Sequence, residues 1–407
     1  MSSALRAQRA VYVAFIGSGF GFASWASRIP QIRDALQATP SELGLVLLAM
    51  AFGAVVAMPL AGMVVNRFGS ARTVAALASL LSLGLIVLAL GYQVGAVPAA
   101  IGLFLIGYGN GTWDVAMNVE GATVEQVIGR TIMPRFHAGF SIGAVVGAVG
   151  GAGCVALDIS VTAHLLVVAA INFAVVPVSA LRGFLPRAVV PETTGDAPAE
   201  QPPHPLTAWK EPRTLLIGVF GLCMAFSEGT GNDWLAVAVI DGYAAAPVAG
   251  AATFAIFLAA MTLGRWFGPG LIDRRGRVIM VRISALLGLV GLLMVIFGQA
   301  LPVAITGAVL WGLGTALGFP VGVSAAADDP RMAAARVSVV SSIAYTAFLA
   351  GPPLVGFLGD EVGVLRALTV TAGLLALAAV IAGATEPLSE SDKDASSASI
   401  GNRAPPS

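Results

Sequence analysis

The chain has 407 residues, 57% of them hydrophobic and only 11% charged, with a net charge of zero and a mean hydropathy of +0.87. A soluble protein cannot cover so much apolar surface, and without a basic tract there is no electrostatic footprint for nucleic acid. The medium is lipid, and the bilayer is the expected partner of most of the sequence.

Apolar runs of about 20 residues, the length that crosses a hydrocarbon core, recur from end to end. They begin near Val11, Leu43, Thr73, Val97, Met133 and Thr162, and again near Thr214, Pro247, Val278, Leu301, Val337 and Leu365. The expected fold class is an all-α integral membrane protein, with 12 transmembrane helices forming two six-helix bundles over residues 1–185 and 213–385. Arg6 and Arg9 ahead of the first run also suit a signal peptide, but the many spans that follow favour a retained first helix. Residues 186–212, rich in Pro, Thr, Glu and Ala, read as a linker between bundles, and 386–407 as a disordered tail. Cys154 and Cys223 both lie in apolar runs and read as small packing residues.

Charge sets the orientation. Of the 22 Lys and Arg, all but Arg28, Arg33 and Arg366 fall on the side that carries both termini. Positive charge is retained on the cytoplasmic face, so termini and linker are expected there. The halves also look like repeats. The turn Gly62-Met-Val-Val-Asn66-Arg67-Phe68-Gly69 after the second span is echoed 207 residues later by Asp273-Arg274-Arg275-Gly276-Arg277, and Trp25 by Trp234.

On these residues the chain resembles the major facilitator superfamily, whose second and third helices are joined by a Gly-x-x-x-Asp-Arg-x-Gly-Arg signature. Gly62, Arg67 and Gly69 match the first copy, with Asn66 in place of Asp; Asp273, Arg274, Gly276 and Arg277 match the second, with Pro269 in place of its first Gly. The resemblance implies a conformational latch between the halves at these eight positions. The fourth span, Gly107 to Asn118, is similar to the fucose-permease-like branch, in which an acidic residue is followed four positions later by Asn; here these are Asp114 and Asn118. It implies proton-coupled transport of a small polar solute, in a bacterial cytoplasmic membrane.

Ionisable groups inside spans are costly and need a reason. Asp114 and Asn118 share one helix face, at a depth about 24 Å along the fourth span from Pro98. They are candidates for proton coupling or solute contact; static pairing of Asp114 with Arg130 or Arg135 is the alternative. Glu228 and Asn232 sit in the most polar stretch of any span, where Gly229 and Gly231 permit an unwound helix, while Asp233 is expected to reach the outer interface. His137 is a candidate proton relay, and Trp113 a stacking platform for a ring; Trp25 and Trp234 suit interfacial anchoring equally well. Glu120, Glu125, Arg130 and Arg135 read as a charge network at the cytoplasmic end. Gly139, Gly143, Gly147 and Gly151 line one face of the fifth span, as a surface on which the halves could slide.

No catalytic constellation, Walker-type loop or metal-ligand cluster is visible, so neither an enzyme nor a cofactor is expected, and transport must draw on solute or ion gradients. Proton symport of a sugar or related metabolite leads, efflux antiport follows, and a non-transporting sensor is the competing class. One chain holds enough helices to work as a monomer.

Overall fold

The computed structural model describes residues 3–129, 132–186, 205–329 and 332–388. Seven helices build the first half: α1 (Ser3–Ala26), α2 (Ile29–Leu36), α3 (Pro40–Phe68), α4 (Ser70–Gly91), α5 (Ala96–Ile128), α6 (Met133–Ala156) and α7 (Val161–Gly183). The second comprises α8 (Pro212–Tyr243), α9 (Pro247–Arg275), α10 (Arg277–Phe297), α11 (Leu301–Thr315), α12 (Gly318–Ala326), α13 (Ala333–Val362), α14 (Val364–Ala367) and α15 (Thr369–Ile381). Among the described residues ten helical stretches are long and apolar enough to cross a bilayer, with α11–α12 and α14–α15 each counted as one, and the bent pair α1–α2 gives an eleventh. The twelfth span is α5, whose 33 residues carry Asn110, Asp114, Asn118, Glu120 and Glu125 and are less apolar for that reason. The all-helical, two-bundle architecture is the one expected.

Local chemistry starts and stops these helices. Pro40, Pro212 and Pro247 open α3, α8 and α9, where a missing N–H costs nothing. Thr39 and Glu42 form a reciprocal capping box at α3. The two halves repeat one device: Gly69 (φ +80°) and Gly276 (φ +84°) each end one helix and begin the next in a left-handed conformation that glycine adopts without strain. Their N–H groups both donate to a carbonyl four residues back, Val65 and Ile272, at 2.8 Å.

Two expectations are corrected here. The glycine row of α6 does not lie between the halves. It is a seam inside the first half, where a Cβ on Gly143 would stand 2.1 Å from the Ile16 carbonyl oxygen of α1 and one on Gly147 2.6 Å from that of Phe20. Nor, among the described residues, do Glu120 and Glu125 form ion pairs: Glu120 accepts from the Leu185 N–H at 2.7 Å, and Glu125 caps the start of α6 through the N–H groups of Ile132 and Met133. Arg130 lies outside the described residues, as do 187–204 of the linker and 389–407 of the tail. The linker's last residues form a 3-10 turn, Pro205–Lys210, whose Ala208 is buried against Met332 and Val339.

The halves meet at the end far from the termini. A Cβ on Gly44 of α3 would stand 2.5 Å from the Pro352 carbonyl oxygen of α13, and one on Gly356 would stand 2.5 Å from that of Pro40. Arg33 of α2 forms an ion pair with Asp241 of α8, and the Ser41 N–H donates to Asp360 at 3.3 Å. Toward the termini, His137 and the turn residues Arg67, Phe68, Asp273 and Arg274 are exposed. The molecule is sealed at the far end and open toward the termini.

On the termini side, Glu211 accepts from Arg336 Nε at 2.7 Å and from Thr214 Oγ1 at 2.6 Å, tying the linker's end to α13. Burial pushes the Glu211 carboxyl up, but the Arg336 and Thr214 hydrogen bonds and the charges of Arg336 and Arg213 outweigh it and hold the carboxyl below its ordinary value. A depressed carboxylate stabilises the fold above its unfolded value, roughly pH 4.3, and that contribution is lost as pH falls through the folded value. The melting temperature of wild-type protein in detergent should therefore exceed that of Glu211→Gln at neutral pH, and the gap should close below about pH 4. A gap that is constant with pH would contradict this.

Candidate functional site

Between the halves lies a cavity of about 260 Å³, walled by α1, α3, α5 and α6 from one half and α8, α9 and α13 from the other. Its floor and sides are apolar, with Phe22, Leu47, Met50, Met58, Phe140, Leu258, Met261 and Phe348, and a small polar set breaks that surface. Ligand sites commonly combine an apolar wall with a few placed polar groups.

Both carboxylates of the polar set come from α8. Glu228 and Asn232, one turn apart, both reach the cavity, and so does Asp233. Asp233 thus faces the centre and not the outer interface, because α8 runs on unbroken for ten residues beyond it, to Tyr243. Gly229 and Gly231 do not unwind the helix. They admit neighbours instead: a Cβ on Gly231 would stand 2.4 Å from the Phe257 ring, and one on Gly229 3.3 Å from Phe348. The back of α8 is fixed by a bond from Trp311 Nε1 to Ser227 Oγ (2.8 Å) and one from Thr371 to Thr230 (3.2 Å).

Arg265 of α9 donates to Glu228 Oε1 at 2.7 Å. The charge pattern of the sequence counts this arginine on the cytoplasmic side; α9 continues ten residues past it, which draws it into the cavity wall. From the first half, Asn110 of α5 accepts from Ser18 Oγ at 2.7 Å, and Trp25 and Ser141 complete the lining. Tyr345 of α13 lines it from the opposite side. Asn232 Oδ1, Arg265 Nε and Trp25 Nε1 are buried and have no hydrogen-bond partner among the described residues.

Asp114 lies one turn of α5 beyond Asn110, toward the termini. Asn118 Nδ2 donates to its backbone carbonyl at 2.8 Å and to its carboxylate at 3.3 Å, and Tyr345 stands within electrostatic range across the gap. The described partner of Asp114 is thus Asn118 and not Arg135. His137 stands one turn of α6 below Phe140 and Ser141, edge-on to Phe15 with ring centroids 5.1 Å apart and within electrostatic range of Arg265. Trp113 belongs elsewhere: it is fully buried in the first half, near Gly17, and does not line the cavity. In the matched turns, Arg67 lies over the Phe68 ring, while Arg277 forms a bidentate pair with Asp328 inside the second half. Asn110, Arg265 and Tyr345 are not singled out by the sequence, which assigns Asp233 to the outer interface; an Asn in a glycine-rich span and an Arg within reach of a span's end are the available signals.

Twelve helical spans among the described residues, in two halves around a polar-studded chamber, define a polytopic membrane transporter. The sequence model of the Major Facilitator Superfamily matches residues 11–337 and again 254–407. The transporter y4wD of Sinorhizobium fredii is 31% identical over 382 residues, covering 92% of this chain and 97% of that one. The solved nucleoside transporter NupG superposes with a TM-score of 0.73 at 15% identity, covering 95% and 98%. The E. coli fucose:proton symporter FucP does so with a TM-score of 0.65 at 17% identity, covering 95% and 100%. The chain belongs to the Major Facilitator Superfamily.

Proposed function

We propose that the chain moves a small polar solute, a sugar or related metabolite, by alternating access and in symport with a proton. The observation that carries this reading is the chamber itself: both halves wall it, backbone contact seals it at one end, and carboxylates stand within it and beside it. NupG is a nucleoside transporter and FucP a fucose:proton symporter, which supports a polar solute and a proton. Asp114 holds the proton with Asn118 as its partner, His137 relays it toward the termini, and Glu228 and Asn232 contact the solute. Gly62, Asn66, Arg67, Gly69, Asp273, Arg274, Gly276 and Arg277 act as the latch of the opposite conformation, in which the termini-side ends close. The membrane is a bacterial cytoplasmic membrane, both termini are cytoplasmic, and the monomer is the working unit.

The apolar share of the chamber wall favours a second reading, proton-driven efflux of amphipathic solutes. Uptake into proteoliposomes under imposed pH gradients separates the two. Accumulation driven by acid on the far side supports symport; accumulation toward an acidic compartment supports antiport; binding without flux ends both. Glu228→Gln would leave the Arg265 guanidinium without its counter-ion on the chamber wall. For a pair partly open to water this should reduce uptake about tenfold at equal protein levels. Unchanged uptake would remove Glu228 from the site.

A further inference from the structure

The charges on the chamber wall do not balance. Glu228 is neutralised by Arg265, but Asp233, on the same wall, has no hydrogen bond or ion pair to any described residue. Its neighbour Asn232 presents a buried Oδ1 that also lacks a donor. Two acceptors without a described donor thus stand on consecutive chamber-lining residues, on a helix whose back is fixed through Ser227 and Thr230. A lone ionised carboxylate in a low-dielectric setting is costly unless a cation or hydrogen-bond donors meet it. A hydroxyl brings one donor and no charge, whereas an ammonium brings three donors and the missing positive charge. The aromatic residues Phe22, Trp25 and Phe348 also line the chamber and suit a cation and its apolar body.

We propose that the transported solute carries a protonated amine, which docks on the Asp233 carboxylate and Asn232 Oδ1 while the rest of the molecule lies against the apolar wall. This rests on the transporter reading and names the chemical class of its solute. A solute anion is disfavoured, since Arg265, the one cation of the wall among the described residues, is already held by Glu228.

Two sets of probes that share a scaffold and differ in the charge of one substituent test it, with full-length protein in detergent and in proteoliposomes: glucosamine, glucose and glucuronate; tryptamine, indole-3-ethanol and indole-3-acetate. Thermal shift and equilibrium binding should rank the amine first in at least one set. Asp233→Asn should weaken that amine about tenfold or more, as loss of a charge-assisted hydrogen bond does. It should not lower the ligand-free melting temperature and should cost the neutral probe less affinity than the amine, and Asp233→Glu should restore part of the amine's affinity. The proposal is overturned if neutral or acidic members bind as well as the amine, if no amine binds, or if Asp233→Asn leaves amine affinity intact, in which case the carboxylate serves a proton alone. Flux of a neutral probe that survives Asp233→Asn while no amine binds sinks this inference and leaves the transporter reading standing; binding with no flux of any probe sinks the transporter reading.

Discussion

Asp114→Asn is expected to abolish solute accumulation driven by a pH gradient while sparing exchange of solute across the membrane. The carboxamide keeps the size of the side chain and can still meet Asn118, but it has no proton to give up. Coupling to one proton lets a difference of one pH unit sustain about tenfold accumulation, since each unit is worth about 1.4 kcal/mol. The variant should reach only equal concentrations on the two sides, yet should load and unload labelled solute in counterflow. The position favours this outcome: Asp114 lies one turn beyond the cavity residue Asn110, opposite Tyr345 of the other half, and forms no ion pair with Arg135. Retained accumulation at equal protein levels would take the proton away from this residue. Counterflow lost together with accumulation would make it a solute contact or a structural group.

A second large effect is expected at the far-end seam. Leu at Gly44 would place its Cβ 2.5 Å from the Pro352 carbonyl oxygen and 3.0 Å from the Pro353 Cα, where backbone and not a flexible side chain must yield. Overpacking of this kind costs about 1–3 kcal/mol. Because it is felt only when the far end is shut, it should shift the equilibrium about five- to 150-fold toward the state open at that end. Transport should fall accordingly. In a background lacking Cys154 and Cys223, Met50→Cys on the chamber wall should react faster with an impermeant thiol reagent added at the far side. Gly150→Leu, where a Cβ meets nothing within 4 Å, is the control and should change neither. Equal labelling rates for Gly44→Leu and the control would mean that the seam does not govern access.

Sequence alone made the architecture readable because the bilayer demands it. Each span needs its own apolar stretch, and duplicated turns at Gly69 and Gly276 need the same left-handed residue, so length, periodicity and repeat spacing all carry signal. The polar stretch of α8 was readable for the opposite reason, since Glu228 and Asn232 are too costly in a span to be incidental. What sequence hid was depth. Helices α8 and α9 have 32 and 29 residues, more than a bilayer needs, so Asp233 and Arg265 read as lying near a membrane surface although both stand at the chamber. Direction around the helix was hidden too. Trp113 and Asp114 are neighbours in sequence, but about 100° of rotation puts the indole in the core and the carboxylate toward the gap. The α6 glycines gave a genuine close-packing signal without saying which helix they accept, and the partner proved to be α1 of the same half.

The shut end of the molecule is made where main chain presses on main chain, at Gly44 with Pro352 and Gly356 with Pro40. Such a gasket is blind to chemistry: amide oxygens and bare α-carbons give a passing molecule little by which one compound could be told from another. Discrimination between cargoes therefore falls to the chamber, and changes in the α8 residues that face it can retune what is carried while the closing mechanism stays as it is.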